Sequence, residues 1–288
     1  MTGFAQLLLL YAWSIPAAVL FGCALSVVGA HLVARNREIQ VLCLSQGAVF
    51  GVLVSIGMVH LFATHASESR WIPSLSGLAA SGLTYLFSEW IVRRRPHRKN
   101  SIYVTLFIFL TTGGHLVTAL FPALDSHLSQ AYFGDLATLT LDDAKVAVFI
   151  AVPVLVYFIR RWRPLTNESF LTAFFGDGRS SLSFTLSTLV LIAFSIQALG
   201  FLFTVACLFI PTTVLGTVTQ PGIRLHFWLC GIISAVCIPL GFGLSLAFTR
   251  LPTVPLIAFL QVGVALLVVL FVRLVGALWK TPQTVKTI

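Results

Sequence analysis

The chain has 288 residues, of which 58% are hydrophobic and only 9% are charged, and its formal net charge is +9. Soluble domains have about 25% charged residues, so this composition excludes a soluble globular protein and indicates that lipid is the solvent. The apolar stretches are continuous over about 20 residues and do not alternate, which predicts an all-α polytopic membrane protein and excludes a β-barrel. No long polar segment interrupts them, so residues 1–288 are predicted to form a single transmembrane domain.

The spacing of the apolar stretches predicts a bundle of eight or nine transmembrane helices. Only Gly200 separates the sixth stretch from the seventh, so these two also fit one long span, or a span followed by a half-helix. In chain order, the predicted spans are residues 5–32, 40–64, 72–93, 101–122, 142–160, 182–200, 201–219, 225–247 and 253–276.

Basic residues in the breaks between spans orient the bundle. By the positive-inside rule these breaks face the cytoplasm, which predicts a multi-pass protein of the inner-membrane type with its N-terminus outside. The basic residues flank helices and do not form a face, so anionic lipid headgroups are their expected partners and no nucleic acid is expected. They are Arg35, Arg37, Arg93, Arg94, Arg95, Arg98, Lys99, Arg160, Arg161 and Arg163.

Residues 127–141, between the fourth and fifth spans, are apolar enough to enter the membrane but too short to cross it. Asp135 makes exposure to lipid unfavourable. The pattern therefore predicts a short re-entrant or surface helix, packed on the outer side of the bundle around Phe133, Gly134 and Asp135.

A second short helix is predicted at Ser169–Phe175, in the longest cytoplasmic break. The run Thr166-Asn167-Glu168 is typical of a helix start and Gly176-Asp177-Gly178 of a helix stop. This amphipathic helix is either an interfacial connector or a docking helix for a cytoplasmic partner such as an ATPase. The docking candidates are Glu168, Leu171, Ala173, Phe174 and Gly176.

A few polar residues within the spans are candidates for function. Ser45 and Gln46 lie in span two beside Gly47 and Gly51, whose spacing of four allows close helix packing. Gln46 needs a hydrogen-bond partner near the middle of the membrane, so it either joins two helices or lines a pathway. His115 in span four has the same two interpretations.

No motif predicts enzymatic activity. The sequence contains no HExxH motif, nucleophile elbow or Walker-type loop, and its acidic residues cluster in and beside the breaks between spans. We expect neither a cofactor nor a confident set of metal ligands in this chain, and a membrane-embedded enzyme is only a remote alternative.

Three motifs resemble the membrane permeases of metal-uptake ABC transporters. Tyr132-Phe133-Gly134-Asp135-Leu136, followed by Leu141-Asp142-Asp143, is similar to the family's "LFGDLLAVTPEDL". Ala198-Leu199-Gly200, followed by Leu208-Phe209-Ile210-Pro211-Thr212-Thr213, is similar to "VGxLLxxALLIxPAAxA". Leu251-Pro252-Thr253-Val254-Pro255 stands where the family has "DxPxGP". The order and placement of these motifs support the resemblance from about residue 20 to residue 275.

The resemblance implies a permease subunit of an importer for zinc, manganese or iron. Two permeases, either identical copies or paralogues, would form the pathway. A cytoplasmic ABC ATPase would hydrolyse ATP, and an extracytoplasmic solute-binding protein would deliver the substrate. The segment at residues 164–178 would dock the ATPase.

The family's pathway ligands are replaced in this chain. Its "GDxLxHxxLPG" motif aligns with Leu42 at the aspartate and Gln46 at the histidine, and Arg250 replaces the aspartate of "DxPxGP". Either a paralogue then supplies the ligands, or the substrate is a metal chelate. A ligand-poor, degenerate subunit with only a structural or partner role is the alternative. The pathway candidates are Leu42, Ser45, Gln46, His115 and Arg250.

Overall fold

The computed structural model describes residues 11–62, 71–121, 124–134, 139, 141–175, 181–216, 223–248 and 251–279. Within these residues the chain is helical and has no strand. A short 3-10 turn, Pro96–Arg98, precedes the fourth helix. The helices are α1 Ser14–Ala34, α2 Glu38–Phe62, α3 Trp71–Arg94, α4 Lys99–Leu120, α5 Asp125–Phe133, α6 Leu141–Arg160, α7 Trp162–Phe175, α8 Leu182–Leu199, α9 Phe201–Gly216, α10 Ile223–Ala247 and α11 Thr253–Trp279.

Each of the nine predicted spans coincides with one helix, which confirms the all-α fold. Among the described residues, six helices (α1, α2, α4, α8, α10 and α11) are long and apolar enough to cross a membrane. The helix α9 is apolar but shorter than these six, and α3 and α6 do not meet the same criteria of length and hydropathy. The number of crossings therefore stays a prediction.

The helix α3 is less apolar than its neighbours because it carries hydroxyl residues on its buried side. Ser81, Thr84 and Ser88 are all buried. Their hydroxyls donate to carbonyl oxygens of the preceding turn at 2.8–2.9 Å. Because these groups are satisfied within the helix, α3 packs closely on α2.

The helices α1 and α2 form the centre of the bundle. In their most apolar windows 67% and 72% of the residues are buried, against 17% in α4 and 22% in α11. Phe21, Leu25 and Val28 of α1 are fully buried. The helices α4 and α11 therefore present most of their apolar surface outward, as expected for a lipid-facing rim.

A buried polar cluster joins α1 to the three helices at the end of the chain. The Ser26 hydroxyl lies 2.6 Å from that of Ser234 in α10 and donates to the Cys207 carbonyl of α9 at 2.9 Å. The Gln261 amide of α11 donates to Ser234 at 3.2 Å.

The helices α1 and α9 also touch backbone to backbone, because a Cβ on Gly29 would lie 1.8 Å from the Leu208 carbonyl oxygen. All five cysteines are free thiols.

Two predicted boundaries change. The helix α7 begins at Trp162 and not near Ser169, because Pro164 falls in its first turn, where proline is tolerated. Thr166 lies inside the helix, and its hydroxyl donates to the Trp162 carbonyl at 2.8 Å. The question left open at Gly200 is resolved, since α8 and α9 are separate helices that meet there.

Candidate functional site

The first candidate site surrounds Tyr132, in the last turn of α5. Its hydroxyl donates to the Gln46 side-chain oxygen at 3.0 Å. Gln46 lies eight residues after the start of α2, which is about 12 Å along the helix axis. It is 2% exposed. The Tyr132 side of α5 therefore packs into the bundle, while the neighbouring Phe133 is 57% exposed.

Residues from α4 and α9 complete this Tyr132 cluster. The His115 ring stacks on the Tyr132 ring, with 6.0 Å between centroids and 11° between planes. Phe201, at the start of α9, meets Tyr132 edge-on at 5.8 Å. Three other helices, α2, α4 and α9, thus meet the Tyr132 side chain, and we call Gln46, His115, Tyr132 and Phe201 the Tyr132 cluster.

Two glycines in the left-handed region fix the position of α5. Gly134 ends α5 with φ 63°, and Gly200 ends α8 with φ 88°. A Cβ on Gly134 would lie 1.9 Å from the Leu199 carbonyl oxygen, and a Cβ on Gly200 would lie 2.4 Å from the Gly134 nitrogen. Only glycine fits such a close approach with positive φ. The end of α5 is therefore pinned against the break between α8 and α9.

The second candidate site joins α1 to α7. Arg35 follows the last turn of α1, and its side chain has no exposed surface. Its Nη1 forms an ion pair with Glu168 at 3.3 Å, and its Nε donates to the Ser169 hydroxyl at 2.9 Å. Its Nη2 donates to the Leu165 carbonyl at 3.5 Å. We call His31, Arg35, Leu165, Glu168 and Ser169 the Arg35 cluster.

His31 packs against Ser169 in this cluster. The Ser169 hydroxyl accepts from Arg35, which can only donate, and lies 2.9 Å from His31 Nδ1, where either group can be the donor. His31 Nε2 is buried and has no hydrogen-bond partner among the described residues. The ring of Phe227 lies 4.5 Å from the His31 ring, centroid to centroid, and Phe158, Trp162 and Phe184 complete an aromatic cage.

The Arg35 cluster extends to the start of α8. Glu168 Oε1 also accepts from the backbone N–H of Ser181, the residue before α8, at 2.7 Å. The Arg35 guanidinium lies 4.1 Å above the Phe184 ring of the same helix. Burial lowers the pKa of Arg35, and the neighbouring Glu168 opposes that shift. An arginine stays protonated under these conditions, so a buried cation connects α1, α7 and α8.

The sequence pattern of the ABC 3 transport family matches residues 8–272. The chain belongs to the ABC 3 transport family. It is therefore a multi-pass membrane permease of an ABC transporter, and a transporter component rather than an enzyme. No curated protein matches the sequence.

Two solved structures resemble the fold of this permease. PsaBC from Streptococcus pneumoniae in complex with Fab has a TM-score of 0.72 at 14% identity, covering 92% of this chain and 94% of that one. An ABC transporter described as being of metal-chelate type, in an inward-facing conformation, has a TM-score of 0.67 at 16% identity. That match covers 90% of this chain and 85% of the other. The predicted resemblance to metal-uptake permeases is thus confirmed at the level of family and fold.

The predicted pathway residues of the permease are only partly brought together. Gln46 and His115 meet at Tyr132. Ser45 is fully buried, and its hydroxyl has no hydrogen-bond partner among the described residues. Leu42 is half-buried, one turn from Gln46 on α2. Arg250 lies outside the described residues, which contain no group of three or more His, Cys, Asp or Glu side chains able to hold a metal ion.

The predicted docking residues of α7 lie on different sides of the helix. Leu171 is 53% exposed, as a docking contact requires. Glu168 is 25% exposed and is engaged with Arg35. Gly176 and the side chains of Ala173 and Phe174 are outside the described part of the structure, as is Asp135. Phe133 and Gly134 close α5, and Phe133 is exposed.

Sequence reasoning missed Arg35, His31, Ser169 and Tyr132. It used Arg35 only as an orientation signal. A histidine and an arginine four residues apart at the end of a span place two polar groups on one helix face. That spacing was the available signal for a buried cluster.

Proposed function

We propose that this permease forms, with a second copy or a paralogue, the translocation pathway of an importer for divalent transition metals. Zinc, manganese and iron are the candidate metals. A separate cytoplasmic ABC ATPase hydrolyses the ATP, and an extracytoplasmic solute-binding protein delivers the substrate. The protein resides in the bacterial inner membrane with its basic breaks in the cytoplasm.

The observation that carries this proposal is the Tyr132 cluster at the break between α8 and α9. An irregular backbone at membrane depth is tolerated only where protein buries it or where it lines a cavity. In transporters, discontinuous helices of this kind lie at substrate sites. The Gly134–Gly200 contact places such a break beside Tyr132, which contacts the polar side chains of Gln46 and His115.

The chemistry of the cluster restricts how a metal would pass. Gln46 and Tyr132 are neutral and bond to each other. Divalent transition metals prefer carboxylate, imidazole and thiolate ligands, and of these the cluster offers only the His115 imidazole. The proposal is therefore that this chain does not bind a bare cation alone. Its ligands come from a second, different permease, or the metal arrives as a chelate.

The test is purification of the permease in mild detergent with identification of every co-purifying subunit, together with metal uptake in a strain lacking the gene. We expect an ABC ATPase in the complex, and reduced accumulation of zinc, manganese or iron in the deletion strain. A paralogous permease in the complex would identify the source of the missing ligands. Absence of an ATPase together with unchanged metal accumulation would contradict the proposal and favour the structural role.

A further inference from the structure

The helix α7 has two faces with different neighbours. Ser169 and Leu165 are 3% exposed and belong to the face that packs on α1. Phe170 and Leu171 are 50% and 53% exposed. A partner that binds α7 would contact the exposed face, so a displacement of α7 reaches the bundle through the buried face.

The buried face of α7 is joined to α1 and α8 by polar contacts that have strict geometry. A single guanidinium donates to Ser169, Glu168 and the Leu165 carbonyl, and it also covers the Phe184 ring. The same Glu168 oxygen that pairs with Arg35 accepts from the Ser181 N–H. Apolar contacts slide easily, whereas a buried ion pair with several hydrogen bonds holds one arrangement. The two helices therefore follow α7 if it moves.

Both connected helices lead to the Tyr132 cluster. The helix α8 (Leu182–Leu199) is followed by Gly200, whose backbone touches Gly134 at the end of α5. The helix α1 touches α9 at Gly29 and Leu208, and α9 begins with Phe201 against the Tyr132 ring. A continuous path of backbone and side-chain contacts thus connects α7 to the Tyr132 cluster.

We propose that Arg35 is a positioning residue that couples movement of α7 to α1 and α8, and through them to the Tyr132 cluster. This inference rests on the proposed function, because it requires an ATPase that binds α7. Arg35 contacts neither ATP nor substrate in this role. Its contribution is to make α1 and α8 move together with α7.

A double-mutant cycle distinguishes loss of coupling between α7 and the bundle from loss of ATPase binding. The variants are Arg35→Gln, Glu168→Gln and the two combined, with Arg160→Gln as the matched control. Arg160 is exposed at the end of α6, so its replacement removes the same charge from the same end of the bundle. Each variant is produced in a strain lacking the native gene. Three quantities are measured: the ATPase that co-purifies, its ATP hydrolysis, and cellular accumulation of radiolabelled zinc, manganese and iron.

We expect Arg35→Gln to retain the ATPase and its hydrolysis while metal accumulation falls by about tenfold, within the usual range of allosteric coupling. Glu168→Gln should lower metal accumulation to the same extent. The double variant should be no worse than either single one, because the two side chains act as one unit. Arg160→Gln should match the wild type. Additive losses, or accumulation equal to the wild type in the single variants, would overturn the coupling role.

Two further readouts keep the outcome interpretable. If Arg35→Gln fails to fold, as judged by its melting temperature in detergent, Arg35→Lys replaces it in the cycle, since it keeps the positive charge but loses the guanidinium that donates to Ser169, Glu168 and the Leu165 carbonyl together. Uncoupling there supports the inference, and unchanged accumulation overturns it. If the wild-type permease neither binds an ATPase nor supports metal accumulation, the proposed function fails, and the coupling role fails with it.

Discussion

At the residue scale, the Gln46–Tyr132 pair shows what the sequence specifies and what it leaves open. Gln46 is predicted to need a hydrogen-bond partner because an amide at that depth has no water. The partner, Tyr132, is 86 residues away in the chain. Its identity depends on how α5 enters the bundle, and that depends on the contact between Gly134 and Gly200. No local pattern carries this information.

The first prediction concerns this hydrogen bond. Tyr132→Phe keeps the ring against His115 and Phe201 but leaves the buried Gln46 oxygen without its phenol donor, which destabilises the protein by about 1–3 kcal/mol. Adding Gln46→Leu removes the orphaned acceptor, so the double variant should recover most of the loss. Melting temperatures in detergent measure both effects. A double variant less stable than Tyr132→Phe would show that the hydrogen bond is not the reason.

Arg35 gives a second lesson at this scale. An arginine after a span is usually interpreted as an orientation signal. That interpretation gives no reason to expect that the Arg35 side chain is buried. Its burial depends on Glu168 and Ser169, more than 130 positions away, and on an α7 that begins earlier than predicted. Predicting the cluster requires the packing of α7 on α1, which composition does not encode.

At the scale of elements, the helices are predictable because lipid requires continuous apolar segments of a set length. Their breaks are harder to predict. The break at Gly200 is visible in the sequence as one glycine, and its depth and sharpness come from contact with α5. The start of α7 is hard to predict because Pro164, taken alone, indicates a helix break. In the structure Pro164 lies in the first turn of α7, where proline is tolerated.

The second prediction tests the break between α8 and α9. Gly200→Ala places a Cβ 2.4 Å from the Gly134 nitrogen in a residue with φ 88°. We expect loss of the folded protein or a strong fall in its melting temperature. Gly231→Ala is the matched control, because nothing lies within 4 Å of its Cβ position inside α10. An alanine there should be neutral or should stabilise by up to about 1 kcal/mol. Equal effects of both substitutions would contradict the role of Gly200.

The third prediction tests docking on α7. Leu171→Asp, or Ala173 and Phe174 changed to charged residues, should release the ATPase during co-purification, because a charge in an apolar contact is unfavourable. His97→Asp is the control, since His97 is exposed in another segment at the same end. The permease itself should remain folded in every case. Unchanged co-purification and transport in all variants would exclude α7 as the docking helix.

At the scale of the whole molecule, the charge distribution makes the bundle asymmetric. The exposed arginines at the ends of α3 and α6 lie at the same end as the Arg35 cluster, because α7 continues from α6 and packs on α1. The opposite end carries the start of α5. Family membership establishes a membrane permease, and the positive-inside rule gives the expected orientation.

The fourth prediction tests this orientation with two variants, in each of which one exposed residue is replaced by cysteine. His97, in the basic segment between α3 and α4, and Ser126, in α5, are both exposed. The native Cys43, Cys207, Cys230 and Cys237 are buried, and Cys23 is half-buried, so background labelling is low. With a membrane-impermeant maleimide on intact cells, Ser126→Cys should react, whereas His97→Cys should react only after permeabilisation. The difference is expected because the basic residues stay on the cytoplasmic side. The reverse labelling pattern would show that the bundle has the opposite orientation, in which a cytoplasmic ATPase could not reach α7.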